Sequence, residues 1–308
     1  MLLKFENETE WLAARKQDVT STEVAALFGL NPYKSRLRLW HEKRGDVESD
    51  FEDNPFTKWG RRLQNAVAEG IAEDEGWDEV EDLRLYYARD PDLGLGSSFD
   101  FKVIAEGLPT MLEIKVAEAF REEDGWLPDK APIPYEFQLQ TQLHFSREKG
   151  IKHGIIGTLG RRQSTRLYRR EYDASVGSMI EEEVFTFWQS IKLNRPPEPD
   201  YAVDSELLEK LRGPIRTGDI INLTGNDRAK ELVAHYKNQK SLHTTLMKEL
   251  KPVDDSIEKI KAELLHMIGR NETAIIGGIQ ISAKEQVRED SVSYGSSFRR
   301  FDLKKRKQ

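Results

Sequence analysis

The sequence predicts an α/β fold, and three observations predict it. Residues 56–75 carry Leu63, Val67, Ala68 and Ile71 in one helical stripe. Residues 77–118 lack that period and break into short strand-like segments. Two further strand-like segments, 154–159 and 165–170, follow a helical stretch at 134–145 and precede another at 176–194. Sheet-forming sequence thus lies between helices.

In chain order, residues 3–14 read as a short amphipathic helix. Asp18 to Thr22 offer N-cap candidates for a helix over 23–28, which Gly29 and Asn31-Pro32 close. Residues 35–43 form the next helix, ended by Gly45, and 46–55 are an acidic loop. Strands are expected at 83–87, 99–104 and 110–116, the last two joined as a hairpin through 105–109. Residues 134–145 suit a helix with proline in its first turn. The cluster Pro196-Pro197-Glu198-Pro199 marks a domain boundary. Beyond it, 227–250 and 254–268 read as two helices broken at Lys251-Pro252, an antiparallel hairpin or coiled-coil-like arm. A small β segment at 274–284 and a basic tail at 299–307 complete the chain. The expected domains are therefore 1–199 and 200–308.

Composition narrows the chemistry. The 308 residues include no cysteine, which excludes a disulfide scaffold, a thiolate nucleophile and a cysteine-ligated metal, and fits a reducing compartment. No apolar run approaches a membrane span, and Glu6, Glu8 and Glu10 do not suit a signal peptide. The net charge of −7 conceals an asymmetry. Residues 1–200 hold 27 Lys and Arg against 38 Asp and Glu, whereas residues 201–308 hold 20 against 16. Local clusters therefore say more about partners than the average does.

The chemistry concentrates in Gly96-Ser-Ser-Phe-Asp100 and in Glu113-Ile114-Lys115. Residues i and i+2 of a strand share a face, so Glu113 and Lys115 project together, and Asp100 on the partner strand can meet them. Two carboxylates and a lysine at a sheet end suit a divalent-metal phosphodiester site. An exposed hairpin with cross-strand charge pairs is the plainer alternative. Phe99, Phe101, Leu112 and Ile114 flank these charges, however, and charges on a packed hairpin need a partner or an ion.

With these residues in view, the chain resembles the YqaJ/lambda-exonuclease-type viral recombinases of the PD-(D/E)XK nuclease superfamily. Asp100 matches the motif aspartate and Glu113-Ile114-Lys115 the E-x-K element. Trp11 to Arg15 with Val19 to Val24, Phe28 to Tyr33 with Leu39-Trp40 and Lys43 to Gly45, and Tyr135-Glu-Phe-Gln138-Leu-Gln-Thr-Gln142 match further blocks in the same order. The resemblance covers roughly residues 10–200. It implies a PD-(D/E)XK core, a central mixed sheet flanked by helices, with a C-terminal helical-hairpin extension. It further implies a 5′→3′ exonuclease that digests one strand of linear double-stranded DNA. Asp100, Glu113 and the backbone carbonyl of Ile114 would bind Mg²⁺, with Mn²⁺ an alternative, and Lys115 would be catalytic. Arg15, Thr22 and Gln138 would hold a terminal 5′-phosphate, with Gln142, Tyr135, Arg36 and Arg61 as further DNA-binding candidates. The implied partners are DNA ends, a single-strand annealing protein and further copies of the chain, a trimer by resemblance. The implied location is the cytoplasm of a bacterial host, as a phage or prophage protein.

One position departs from the family pattern: Gln64 stands where a glutamate is often found on the helix before the sheet. An amide there orients a metal-bound water without adding charge. This keeps open a DNA-end-binding scaffold with weakened catalysis; a different PD-(D/E)XK endonuclease is a separate alternative. Basic residues near aromatics suit backbone contact and base stacking. These are Lys34, Arg36, Arg38, Trp40, Lys43 and Arg44; Lys58, Trp59, Arg61 and Arg62; and the arginines 161, 162, 166, 169 and 170.

Overall fold

The computed structural model describes residues 1–48, 55–117, 121, 124–160, 164–214, 218, 220–276 and 279–282. The main sheet grows from the hairpin of β6 (Phe101–Ala105) and β7 (Leu108–Val116). Glu106 and Gly107 turn it with φ of 53° and 78°. Two successive left-handed residues match the twist of paired strands, and glycine adopts that conformation without steric cost. Phe101 pairs with Leu112 and Val103 with Thr110. The period of two then puts Phe101, Val103, Leu112 and Ile114 on one face, against Val67, Ala68 and Ile71 of α4 (Pro55–Glu75). Met111 and Ile156 sit in the other core layer, with Leu139 and Leu143 of α5 (Ile133–Ser146).

Helix α5 is the crossover that lets β7 run parallel to β8 (His153–Gly160). Antiparallel β9 (Ser164–Glu171) and β3 (Asp78–Asp82) complete a five-stranded sheet in the order β3-β6-β7-β8-β9. This is the expected α/β arrangement, a mixed sheet with helices on both faces.

A second sheet has the order β1-β4-β5-β2, from β1 (Leu2–Lys4), β4 (Tyr86–Asp90), β5 (Leu95–Ser98) and β2 (Val19–Thr20). Helices α2 (Val24–Leu27), α3 (Arg36–Arg44) and α6 (Ala174–Lys192) share a core with it, built on Leu27, Trp40, Leu95, Ile180 and Phe187. Two expectations change here. The helix predicted over 3–14 is α1 (Glu8–Arg15), capped by Asn7. Residues 2–4 pair instead with β4, because a neighbouring strand edge outweighs a short helical pattern. The strand predicted over 99–104 is β6, which begins at Phe101; Phe99 and Asp100 form the step that joins it to β5 in the other sheet.

The chain divides into two compact units, Met1–Ile215 and Arg216–Gln308. Past the proline cluster, α7 (Ser205–Arg212) stays with the first unit. Asp204, 1% exposed, accepts a hydrogen bond from Ser35, the N-cap of α3. In the second unit the predicted helical hairpin is one continuous helix, α8 (Asp227–Ile268), followed by the hairpin of β10 (Thr273–Ile276) and β11 (Ile279–Ser282). Pro252 lies inside α8. It removes one hydrogen bond at a cost of about 3 kcal/mol. Breaking the helix there would strip partners from about four N–H and four C=O groups, and no glycine within α8 offers a stop. The basic tail at 299–307 and Arg161 and Arg162 lie outside the described residues. No helix among the described residues is long and apolar enough to cross a membrane.

Candidate functional site

Asp100 occupies the step from one sheet to the other. Its Oδ2 accepts from the backbone N–H of Ile114 at 2.9 Å and from Gln64 Nε2 on α4 at 3.1 Å. Glu113 on β7 is 2% exposed. Lys115 Nζ lies 2.7 Å from Glu113 Oε1, as their spacing on the strand requires. From α5, Gln138 Nε2 donates to Glu113 Oε1 at 2.6 Å while its own Oε1 accepts from Lys115 at 2.9 Å. One turn later, Gln142 Nε2 donates to Glu113 Oε2 at 2.6 Å and to the Ser98 carbonyl at 3.1 Å. The Lys115 ammonium stands 4.7 Å from the centre of the Tyr135 ring. The structure thus brings Asp100, Glu113, Lys115, Gln64, Gln138, Gln142 and Tyr135 to one place.

Two carboxylates meet one ammonium here. Loss of hydration, and then the charge of Glu113, push the Asp100 carboxyl well above the ordinary aspartate range. Burial opposes the Lys115 charge, but Glu113 and then Asp100 more than compensate and raise its pKa. The donor set fits a divalent cation. Asp100 Oδ1 takes no hydrogen bond from the described residues, and Glu113 Oε2 takes one. The Ile114 carbonyl leaves β7 on the same edge as the N–H that reaches Asp100, because a residue's two ladder groups share an edge. Strand β6 ends its pairing at Phe101–Leu112, so no β6 residue pairs with Ile114. Among the described residues, no group of three His, Asp or Glu is placed to hold a metal.

A second group of polar side chains adjoins the first. Arg15 donates to Ser98 Oγ at 3.0 Å and to Thr22 Oγ1 at 3.4 Å, and its guanidinium stacks on Trp11 at 4.3 Å. Trp11 Nε1 also donates to Ser98 Oγ, at 3.2 Å. Glu23 braces this corner: it accepts from the Thr20 N–H and hydroxyl, both at 3.0 Å, and pairs with Lys43 at 2.8 Å. Although burial works against its charge, Lys43 and Lys34 hold the Glu23 carboxyl down at about 2. Arg15 and Thr22 are together as expected, but Gln138 is bonded to Glu113 and Lys115 rather than to them. Ser98 was missed, although it lies two residues before Asp100 in the same motif.

Thr22, Lys115, Tyr135, Gln138 and Arg36 line a cleft of about 940 Å³. Arg36 is held by the Leu27 carbonyl at 2.8 Å and by Glu183. Arg61 is exposed on α4. Among the described residues, neither hydrogen-bonds to Asp100, Glu113 or Lys115. Trp40 is no stacking surface: it is fully buried, with its Nε1 donating to Ser190.

Residues 10–149 match the family model of the YqaJ-like viral recombinase domain. The chain is 21% identical over 281 residues to the uncharacterized protein YqaJ of Bacillus subtilis (strain 168), covering 90% of this chain and 83% of that one. It is also similar to the crystal structure of an alkaline exonuclease, LHK-Exo, from Laribacter hongkongensis. There the identity is 21%, the coverage 61% of this chain and 94% of that chain, and the TM-score 0.48. For the complex of LHK-Exo with dAMP the values are 20%, 65%, 98% and 0.49.

Proposed function

We propose, from the match of residues 10–149 to the model of the YqaJ-like viral recombinase domain, that the protein is a Mg²⁺-dependent 5′→3′ exonuclease. It digests one strand of linear duplex DNA and leaves 3′ overhangs for annealing. The observation that carries this reading is the convergence of Asp100, Glu113 and Lys115 at one sheet end, held by three glutamines. A cation bound by Asp100, Glu113 and the Ile114 carbonyl would polarise the scissile phosphate and acidify a water. Lys115 donates to the attacking water or to the oxygen on which negative charge develops. Gln138 and Gln142 fix the Glu113 carboxylate, and Gln64 fixes that of Asp100. The terminal phosphate sits against Arg15, whose planar fork suits phosphate oxygens, with Ser98 and Thr22 as neutral donors.

Time-resolved digestion of linear duplexes that differ only in their 5′ termini, with and without Mg²⁺, tests the reading. Nucleotides are expected only with Mg²⁺ and faster from phosphorylated ends. Cutting of closed circular duplex would instead make the protein an endonuclease, and end binding without release would make it a scaffold. In the same assay, Arg15→Ala is expected to reduce the preference for 5′-phosphate over 5′-hydroxyl about tenfold or more. That corresponds to the roughly 1.5–3 kcal/mol of a charge-assisted hydrogen bond. Equal loss on both termini removes the pocket assignment. Gln64→Glu adds a carboxylate beside Asp100 and is expected to lower the half-saturating Mg²⁺ concentration about tenfold, roughly 1.4 kcal/mol. An unchanged metal requirement places residue 64 outside the ion's reach.

A further inference from the structure

Helix α8 carries a seam that the proposed reaction does not use. From Ala229 to Met267, one set of positions recurs in alternating steps of three and four residues, the heptad spacing of a coiled coil. In the C-terminal half these positions are Leu246, Leu250, Val253, Ile257, Ile260 and Leu264. In the N-terminal half, Leu232 and Tyr236 are followed by the polar Gln239 and His243. The seam is bare: Leu246, Leu250, Val253, Ile257 and Ile260 are each between 44% and 55% exposed. At 1.5 Å per residue the helix is about 63 Å long. A helix draws most of its stability from packing an apolar stripe, and α8 buries only Ile268 at its end. Pro252 falls two residues after the seam position Leu250, on the outer face, where its missing N–H leaves the seam undisturbed.

We propose that two copies of the chain pair through α8 as an antiparallel, two-stranded coiled coil. Charge on the positions flanking the seam sets the direction. In a parallel pair Glu249 would face Asp254 on both sides of the axis. In a fully overlapped antiparallel pair Lys240 faces Asp254 and His235 faces Glu263, each twice by symmetry. Glu249 is then the one charged residue that meets its own copy, beside a central contact of Met247 with Met247. The seam layers become Leu232 on Leu264, Tyr236 on Ile260 and Leu246 on Leu250. His243 packs on Val253 instead of on a second histidine. The contact is isologous, so it closes at two chains.

The absence of cysteine makes the test direct. Full-length L232C and L264C are mixed and oxidised. A covalent dimer between the two variants, with none formed by either alone, is expected. Cross-linking of L264C to itself would show a parallel pair, and no cross-link in any mixture would show another occupant or none; either overturns the proposal. Independently, full-length Ile257→Glu is expected to sediment at half the wild-type mass with its thermal melting retained. Equal masses for the two proteins would also overturn it.

Discussion

Lys115→Ala is expected to reduce nucleotide release from linear duplex by a factor of about 10³ or more, while end binding stays near wild type. A positioned proton donor contributes about 10²–10⁴-fold, and loss of one oxyanion donor costs about 10²–10³. Lys115 reaches Glu113 at 2.7 Å and Gln138 at 2.9 Å from the strand that also carries Glu113. The fold tolerates the change, because Gln138 and Gln142 still donate to the two oxygens of Glu113. The measurements are single-turnover digestion and equilibrium binding of a 5′-phosphorylated duplex. A variant that digests at the wild-type rate removes Lys115 from the reaction, and with it the reading of the centre.

Leu139→Ala is expected to destabilise the first unit by about 3–5 kcal/mol, the upper part of the range for a buried leucine. Leu139 is fully buried on α5. A Cβ on Gly154 would come within 2.7 Å of its Cδ1, so the leucine fills the space above a bare stretch of β8. Truncation opens a cavity that glycine has no side chain to fill. The urea midpoint should fall at unchanged slope, and the melting temperature should drop by about 10 °C. A midpoint equal to wild type would show that the α5–β8 interface relaxes around the gap. The same helix carries Gln138 and Gln142 on either side of Leu139, so the packing that holds α5 on the sheet also holds the glutamines against Glu113.

Elements with strong local signals were readable in the sequence. Ser35 and Gly45 bracket α3, the apolar stripe marks α4, and the 105–109 turn places β6 against β7. The shared face of Glu113 and Lys115 follows from the strand period alone. Elements fixed by distant partners were not readable. Residues 2–4 become a strand only because β4 offers an edge, and the break between β5 and β6 depends on which sheet each joins. In the site, the polar stripe of α5 was visible. Its attachment to Glu113 was not, since that depends on how the crossover helix settles across β7. The two-helix reading of 227–268 fails because a break at Pro252 would expose more unpaired backbone groups than the proline itself removes.

The step from β5 to β6 has a consequence for the size of what is removed. Ser98, which Arg15 grips, and Asp100, which Ile114 and Gln64 hold, are two residues apart on one chain. That backbone spans at most about 7 Å. In the proposed reaction the anchor for the strand terminus and the cutting point are therefore set by a covalent gauge too short to stretch. In that reaction each event would remove a piece of constant small length, whatever the base.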